Sequence, residues 1–164
     1  MSKKFDSEDL CDCILQIMTN GDALNNKIAA VDAEKTTVLD PVLKPIDSAA
    51  YYLQAWTNKI LNTSPSIFYG IEEVQAADGG GAVAKTYKVF VEVVLVDSGQ
   101  SNDTDRRIAR YSRALEELFS ENFGKAIAAS TIKVDSVRPI SFKLELDSDD
   151  EIKVGGVSLT ITLV

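Results

Sequence analysis

Between Val89 and Val96 only Glu92 is not apolar, and that density restricts where the segment can sit in a fold. In an extended strand Val89, Val91, Val93 and Leu95 take one face, while Phe90, Val94 and Val96 flank Glu92 on the other, so both faces carry apolar area. A strand of this kind belongs in the middle of a sheet. A polar loop follows, and then Ile108, Tyr111, Leu115, Leu118 and Phe119 fall on one helical face, with Asn102 and Asp105 as a capping pair ahead of them. Beyond the helix Ile140, Phe142, Leu144 and Leu146 alternate with polar residues, as do Val157, Leu159, Ile161 and Leu163, which predicts two strands each with one wet and one buried face. Strand, helix and paired strands in that order predict an α+β fold: a mostly antiparallel four-stranded sheet packed by an amphipathic helix.

The preceding residues read as a helical N-terminal region. Leu10, Ile14 and Ile17, then Leu24, Ile28 and Val31, keep helical spacing on either side of Asn20-Gly21, a helix end or bend. Asp6 or Ser7 can cap the first helix and Asp22 the second. Pro41 and Pro45 mark a connector. Ala49, Leu53, Trp56 and Ile60 again fall at helical spacing behind Asp47 or Ser48, so a further helix is expected until Pro65. Ile67 to Val74 and Thr86 to Val96 then form a hairpin around the glycine-rich tip Ala76 to Ala82. The expectation is one domain over residues 1–164, mainly helical over 1–62, with a sheet-and-helix core over 66–164.

Composition narrows function. The net charge of -8 argues against a grip on nucleic acid, which needs clustered Lys and Arg to neutralise phosphate. The N-terminus lacks the apolar stretch of a secretory signal and no apolar run is long enough to cross a bilayer, so a soluble protein made in the cytoplasm, with no membrane partner, is expected.

Histidine is absent, which removes Ser-His-Asp and Cys-His nucleophile systems and the commonest transition-metal ligand. Cys11 and Cys13 diverge on a helix and lack the further ligands that a zinc site requires, so they read as small apolar helix residues. Gly79 to Thr86 approaches a phosphate-binding loop, but Ala84 stands where the second glycine is needed and a strand follows instead of a helix. Asp147, Asp149, Asp150 and Glu151 gather carboxylates without the spacing of a calcium loop and read as a solvated turn. Glu72 and Glu73, adjacent on a strand, face opposite ways and make a poor acid pair. No catalytic, cofactor or metal site is expected, and the chain is not expected to be an enzyme. The one basic concentration is Arg106, Arg107, Arg110 and Arg113. Positions 106, 110 and 113 share a helical stripe, either a solvated face or, in an oligomer, a contact with an acidic neighbouring subunit.

The strand Val89 to Val96, the segment Arg110-Tyr-Ser-Arg-Ala-Leu-Glu-Glu-Leu-Phe119 and the closing Lys153-Val-Gly-Gly-Val-Ser-Leu-Thr-Ile-Thr-Leu together resemble the tail terminator and head-to-tail joining proteins of tailed bacteriophages. The resemblance spans residues 66–164 in element order. It implies a structural virion protein, assembled in the host cytoplasm, that forms a ring, usually a hexamer, at the top of the tail, ends tail-tube polymerisation and docks the head connector. Its partners would be copies of itself, the tail tube and the connector, and DNA would pass through an acidic lumen without specific binding. On this reading Gly79, Gly80 and Gly81, and the loop from Asp97 to Asp105 with Asp103, are candidate contacts ordered on assembly. A neck adaptor or stopper, or a non-viral α+β module binding a peptide or small molecule at a sheet edge, are the alternatives.

Overall fold

In a computed structural model the structure describes residues 6–34, 42–53, 65–76, 85–97, 102–121, 132–145 and 151–163, with the side chains of 97, 102–103, 132–145, 151 and 163 outside that description. The fold is α+β. Helices α1 (Ser7–Thr19) and α2 (Ala23–Ala33) are followed by strands β1 (Tyr51–Leu53), β2 (Ser66–Ala76) and β3 (Lys85–Asp97), helix α3 (Asn102–Glu121), and strands β4 (Ile132–Glu145) and β5 (Glu151–Leu163). The sheet order is β1-β2-β3-β5-β4. The four long strands run antiparallel, as expected, and the short β1 adds a parallel fifth at the edge beside β2.

Local chemistry accounts for the N-terminal helices. Asp6 caps α1 by accepting from the backbone N–H groups of Glu8 and Asp9 while the Asp9 carboxylate accepts from the Asp6 N–H, a reciprocal capping box. Gly21 takes φ +61° in a short 3₁₀ turn between α1 and α2, a left-handed conformation that suits a residue without Cβ. Asp22 does not cap α2: it too is left-handed, and its carboxylate accepts from the Asn25 side-chain amide instead.

The helix expected after Asp47 is absent from the described part of that segment, where Tyr51–Leu53 is a strand. Asp47 does cap, but it caps a turn: its carboxylate accepts from Ala49 N–H and its carbonyl from Ala50 N–H. Ala50 O then accepts from Ile67 N–H and launches β1 alongside β2. Two consecutive tyrosines favour this extended backbone. Trp56 and Ile60 lie outside the described residues.

All three helices pack into one core on a single face of the sheet. Val89, Val91, Val93 and Leu95 of β3 and Val157, Leu159 and Ile161 of β5 meet Leu10, Ile14, Ile28, Ile108, Leu115 and Phe119 there. On the opposite face Phe68, Val94, Ile152 and Val154 form a second cluster with Tyr52, Phe90 and Val96. The rings of Tyr52 and Phe68 stack with centroids 4.9 Å apart. The central, two-faced strand read from Val89 to Val96 is therefore present.

The last two strands depart from expectation. β5 is interior, between β3 and β4, and is buried on both faces at Ile152 and Val154 as well as at Val157, Leu159 and Ile161. Nor do the two alternating sets share a side. Ile140, Phe142 and Leu144 register with Gly156, Val154 and Ile152, whereas Val157, Leu159 and Ile161 register with Pro139, Val137 and Val134. Gly155 and Gly156, between the two buried stretches of β5, allow close approach of neighbouring elements. A Cβ on Gly155 would lie 2.4 Å from Ser112 Oγ and 2.9 Å from Ile108 Cγ1, so the bare backbone lets α3 sit down on β5. Gly156, at φ +149°, would put a Cβ 2.1 Å from Val91 O.

Candidate functional site

The stripe arginines Arg110 and Arg113 are engaged within the chain. Arg110 Nη2 donates to Val31 O at 2.9 Å. Arg113 forks onto Glu34, with Nη1 to Oε2 at 2.7 Å and Nη2 to Oε1 at 3.1 Å, and Nε donates to Glu117 Oε1 at 2.8 Å. Those carboxylates hold the guanidinium pKa above its ordinary value, the Glu34 hydrogen bond first. Lys27 pairs with Glu121 further along. These contacts tie α3 to α2, so much of the basic stripe is a clamp between helices. Arg106 is exposed. Asp103 stands in the first turn of α3, its side chain outside the described residues, and Gly79, Gly80 and Gly81 lie outside them altogether, as do Asp147, Asp149 and Asp150.

A groove of about 570 Å³ runs between α2 and residues 43–45. Its polar wall is already engaged. Asn25 donates to Ile46 O and accepts from Ile46 N–H, at 3.0 and 2.7 Å, and Asp32 Oδ1 accepts from Leu43 N–H at 2.9 Å. Beside the groove Tyr111 Oη accepts from Lys44 N–H and donates to Lys44 O, both at 2.8 Å. Burial pushes the Tyr111 pKa up to about 12. This arrangement straps residues 43–46 across α2 and α3. Among the described residues no three His, Cys, Asp or Glu side chains come together as a metal-binding group. Cys11 and Cys13 are buried free thiols whose pKa is raised by burial and then by Asp12, so they are poor nucleophiles. The segment Lys85 to Asp97 is strand, so the near-phosphate loop has no helix N-terminus behind it.

Two charged groups gain a setting that the sequence did not show. Lys153 is 6% exposed on the helix face of β5, and its Nζ reaches Asp105 Oδ1 at 2.5 Å at the start of α3; the stem packs while the ammonium emerges at the rim. Glu92 is half-buried on the other face, in register with Phe68 and Gly156. Burial raises its pKa first, and Glu72 adds to the rise. Its solitary place in an apolar run was the sequence signal.

Among the described residues the two edges of the sheet are the surfaces without a strand partner. There β1 pairs with β2 at Ile67, Phe68 and Tyr69, and residues 72–76 are exposed, Val74 at 47%. Among the described residues nothing pairs with the outer edge of β4. The direction of each backbone group follows from one bond. Ile67 N–H points outward, to Ala50 O; strict alternation through β3 and β5, with the bulges between Ile71 and Glu73 and between Val134 and Ser136 counted, turns Val74, Ala76, Val134, Val137 and Pro139 outward. Proline is tolerated at such a position because its missing N–H faces away from the ladder. The edges also align across the sheet: Val74, Tyr87, Ile161 and Val134 stand at one level, and Tyr69, Val91, Val157 and Pro139 at another.

No family model matches the chain, and no curated protein matches it either. Solved structures include similar chains, one of them from a structure described as "Virion of native gene transfer agent (GTA) particle". That chain is 11% identical, with the likeness covering 89% of this chain and 98% of the other at a TM-score of 0.43.

Proposed function

We propose that this chain is a structural virion protein that assembles as a ring at the top of a phage tail, ends polymerisation of the tail tube and joins tail to head. The observation that carries the reading is a helix-covered sheet in which, among the described residues, β2 beyond Tyr69 and the outer edge of β4 have no strand partner. Unpaired edges invite further strands and are normally blunted in monomeric proteins. A unit with two different sticky edges associates head to tail, and such contacts close into rings when the rotation per subunit allows. The resemblance of residues 66–164 to tail terminator and joining proteins supports the location at the tail. The polar groups lining the groove are taken up by folding contacts, which fits a role in assembly better than one in catalysis.

The test is assembly itself. Native mass spectrometry of the purified protein is expected to give one discrete oligomer, with rings in negative stain. Addition to polymerising tail-tube protein is expected to stop tube growth and leave a cap at one end. A monomer at every concentration, with tubes that lengthen regardless, would overturn the reading.

A further inference from the structure

We propose that copies of this chain join by strand addition, with Ile71–Ala76 of β2 in one subunit pairing antiparallel to Ile132–Val137 of β4 in the next. The proposal rests on the assembly reading and names the surfaces that carry it. Both segments lie at the same end of the sheet, with Ile71 level with Val137 and Val74 level with Val134. Toward the other end both edges are interrupted at one level: β1 occupies β2 at Tyr69, and Pro139 removes an outward donor from β4. A neighbour that continues the sheet without a shift along the strands therefore sets two segments that have no strand partner among the described residues opposite each other. The alternating strand directions from β2 through β3 and β5 to β4 also make an antiparallel joint the natural continuation.

The β2 segment carries Glu72 and Glu73, and the facing segment of β4 carries Lys133 and Asp135, with Arg138 just past its end. Glu73 is answered in its own subunit by Lys88 at 3.0 Å, which leaves Glu72, at the bulge, as the carboxylate for a neighbour. Residues 72–76 of β2 are exposed here. Pairing in this way satisfies the outward N–H and C=O groups of Val74 and Ala76, the main-chain mode of strand augmentation.

Val74→Pro and Val74→Thr separate this contact from assembly in general. Proline deletes the outward N–H without touching the ladder to β3, and threonine keeps it. With far-UV circular dichroism and melting temperature used to verify folding, Val74→Pro is expected to lower the oligomeric fraction in light scattering by at least about tenfold, the equivalent of roughly 1.4 kcal/mol, and Val74→Thr to assemble like the parent. Hydrogen exchange on the parent protein gives a second readout that needs no variant: on assembly, peptides covering 71–76 and 132–137 are expected to gain protection together. A folded Val74→Pro protein that assembles normally, or an assembled parent with no added protection at these two segments, overturns the edge contact and leaves the assembly reading standing. A parent protein that never assembles overturns both.

Discussion

At the scale of single residues, Tyr111 and Glu92 show how one side chain can weigh on local energetics. The Tyr111 hydroxyl bridges Lys44 N–H and Lys44 O, and at roughly 0.5–1.5 kcal/mol per bond its removal in Tyr111→Phe is expected to cost about 1–3 kcal/mol in chemical denaturation. The phenol pKa of about 12 fixes the sign of a pH effect. Near pH 10 the unfolded phenol ionises while the folded one keeps its proton, so stability falls as pH rises from about 10 toward 12. Tyr51 contributes similarly, its pKa also raised to about 12, so Tyr111→Phe should flatten this alkaline slope in part and not abolish it. Glu92 runs the same way lower on the scale. Its folded pKa is raised by burial and by Glu72, so the protonated form favours folding, and stability is lost as pH rises from the ordinary glutamate range, about 4.3, through the folded value. Glu92→Gln is therefore expected to melt higher than the parent at pH 7, with the difference vanishing near pH 3; a lower melting temperature at neutral pH would mean that the carboxylate has a stabilising partner.

At the scale of elements, the most exacting joint is where α3 and β3 close on β5. Gly156 has φ +149°, and a Cβ there would stand 2.1 Å from the backbone oxygen of Val91; no side-chain rotation relieves that contact. Gly156→Ala is expected to cost roughly 3–5 kcal/mol, since backbone strain and a main-chain clash act together. Gly155→Ala should cost less, about 1–3 kcal/mol, because its neighbours are the movable Ser112 Oγ and the side chain of Ile108. Thermal melts of the two variants measure this ordering. The same glycines explain why β5 was only half legible from sequence: the alternation Val157 to Leu163 was plain, but Gly155-Gly156 hid the continuation back to Glu151. Pro139 and the bulge before Ser136 likewise masked the first half of β4, although an outward-facing edge position tolerates proline. The α1–α2 break, the two-faced β3 and the apolar face of α3 could be read because periodicity alone determines them. Tyr51–Leu53 could not, since Ala49 and Leu53 also satisfy helical spacing and only pairing with β2 decides the matter. Arg110 and Arg113 were visible as a stripe, but their partners on and beyond α2 are some 79 residues away in sequence.

At the scale of the whole molecule, charge sets the conditions for association. Two bodies of net charge -8 about 30 Å apart in water repel by roughly 9 kcal/mol before screening. With a Debye length of about 30 Å at 0.01 M salt that repulsion falls only to about a third; at 0.15 M, where the length is about 8 Å, a few tenths of a kcal/mol remain. Local ion pairs such as one between Glu72 and Lys133 or Arg138 offer only about 0.2–1 kcal/mol each when exposed, and backbone hydrogen bonds between edges respond little to salt. Screened repulsion should therefore win: raising salt from about 0.01 to 0.15 M is expected to increase the oligomeric fraction in light scattering. A subunit contact built instead on the arginine stripe of α3 meeting an acidic neighbour would weaken over the same range. Arg110 and Arg113 are already committed to Val31 and Glu34, which leaves such a contact little cationic surface to use. Association that rises with salt in the parent and in Arg106→Gln alike would locate the joint away from the stripe; association that falls with salt, and is lost in Arg106→Gln, would return it there.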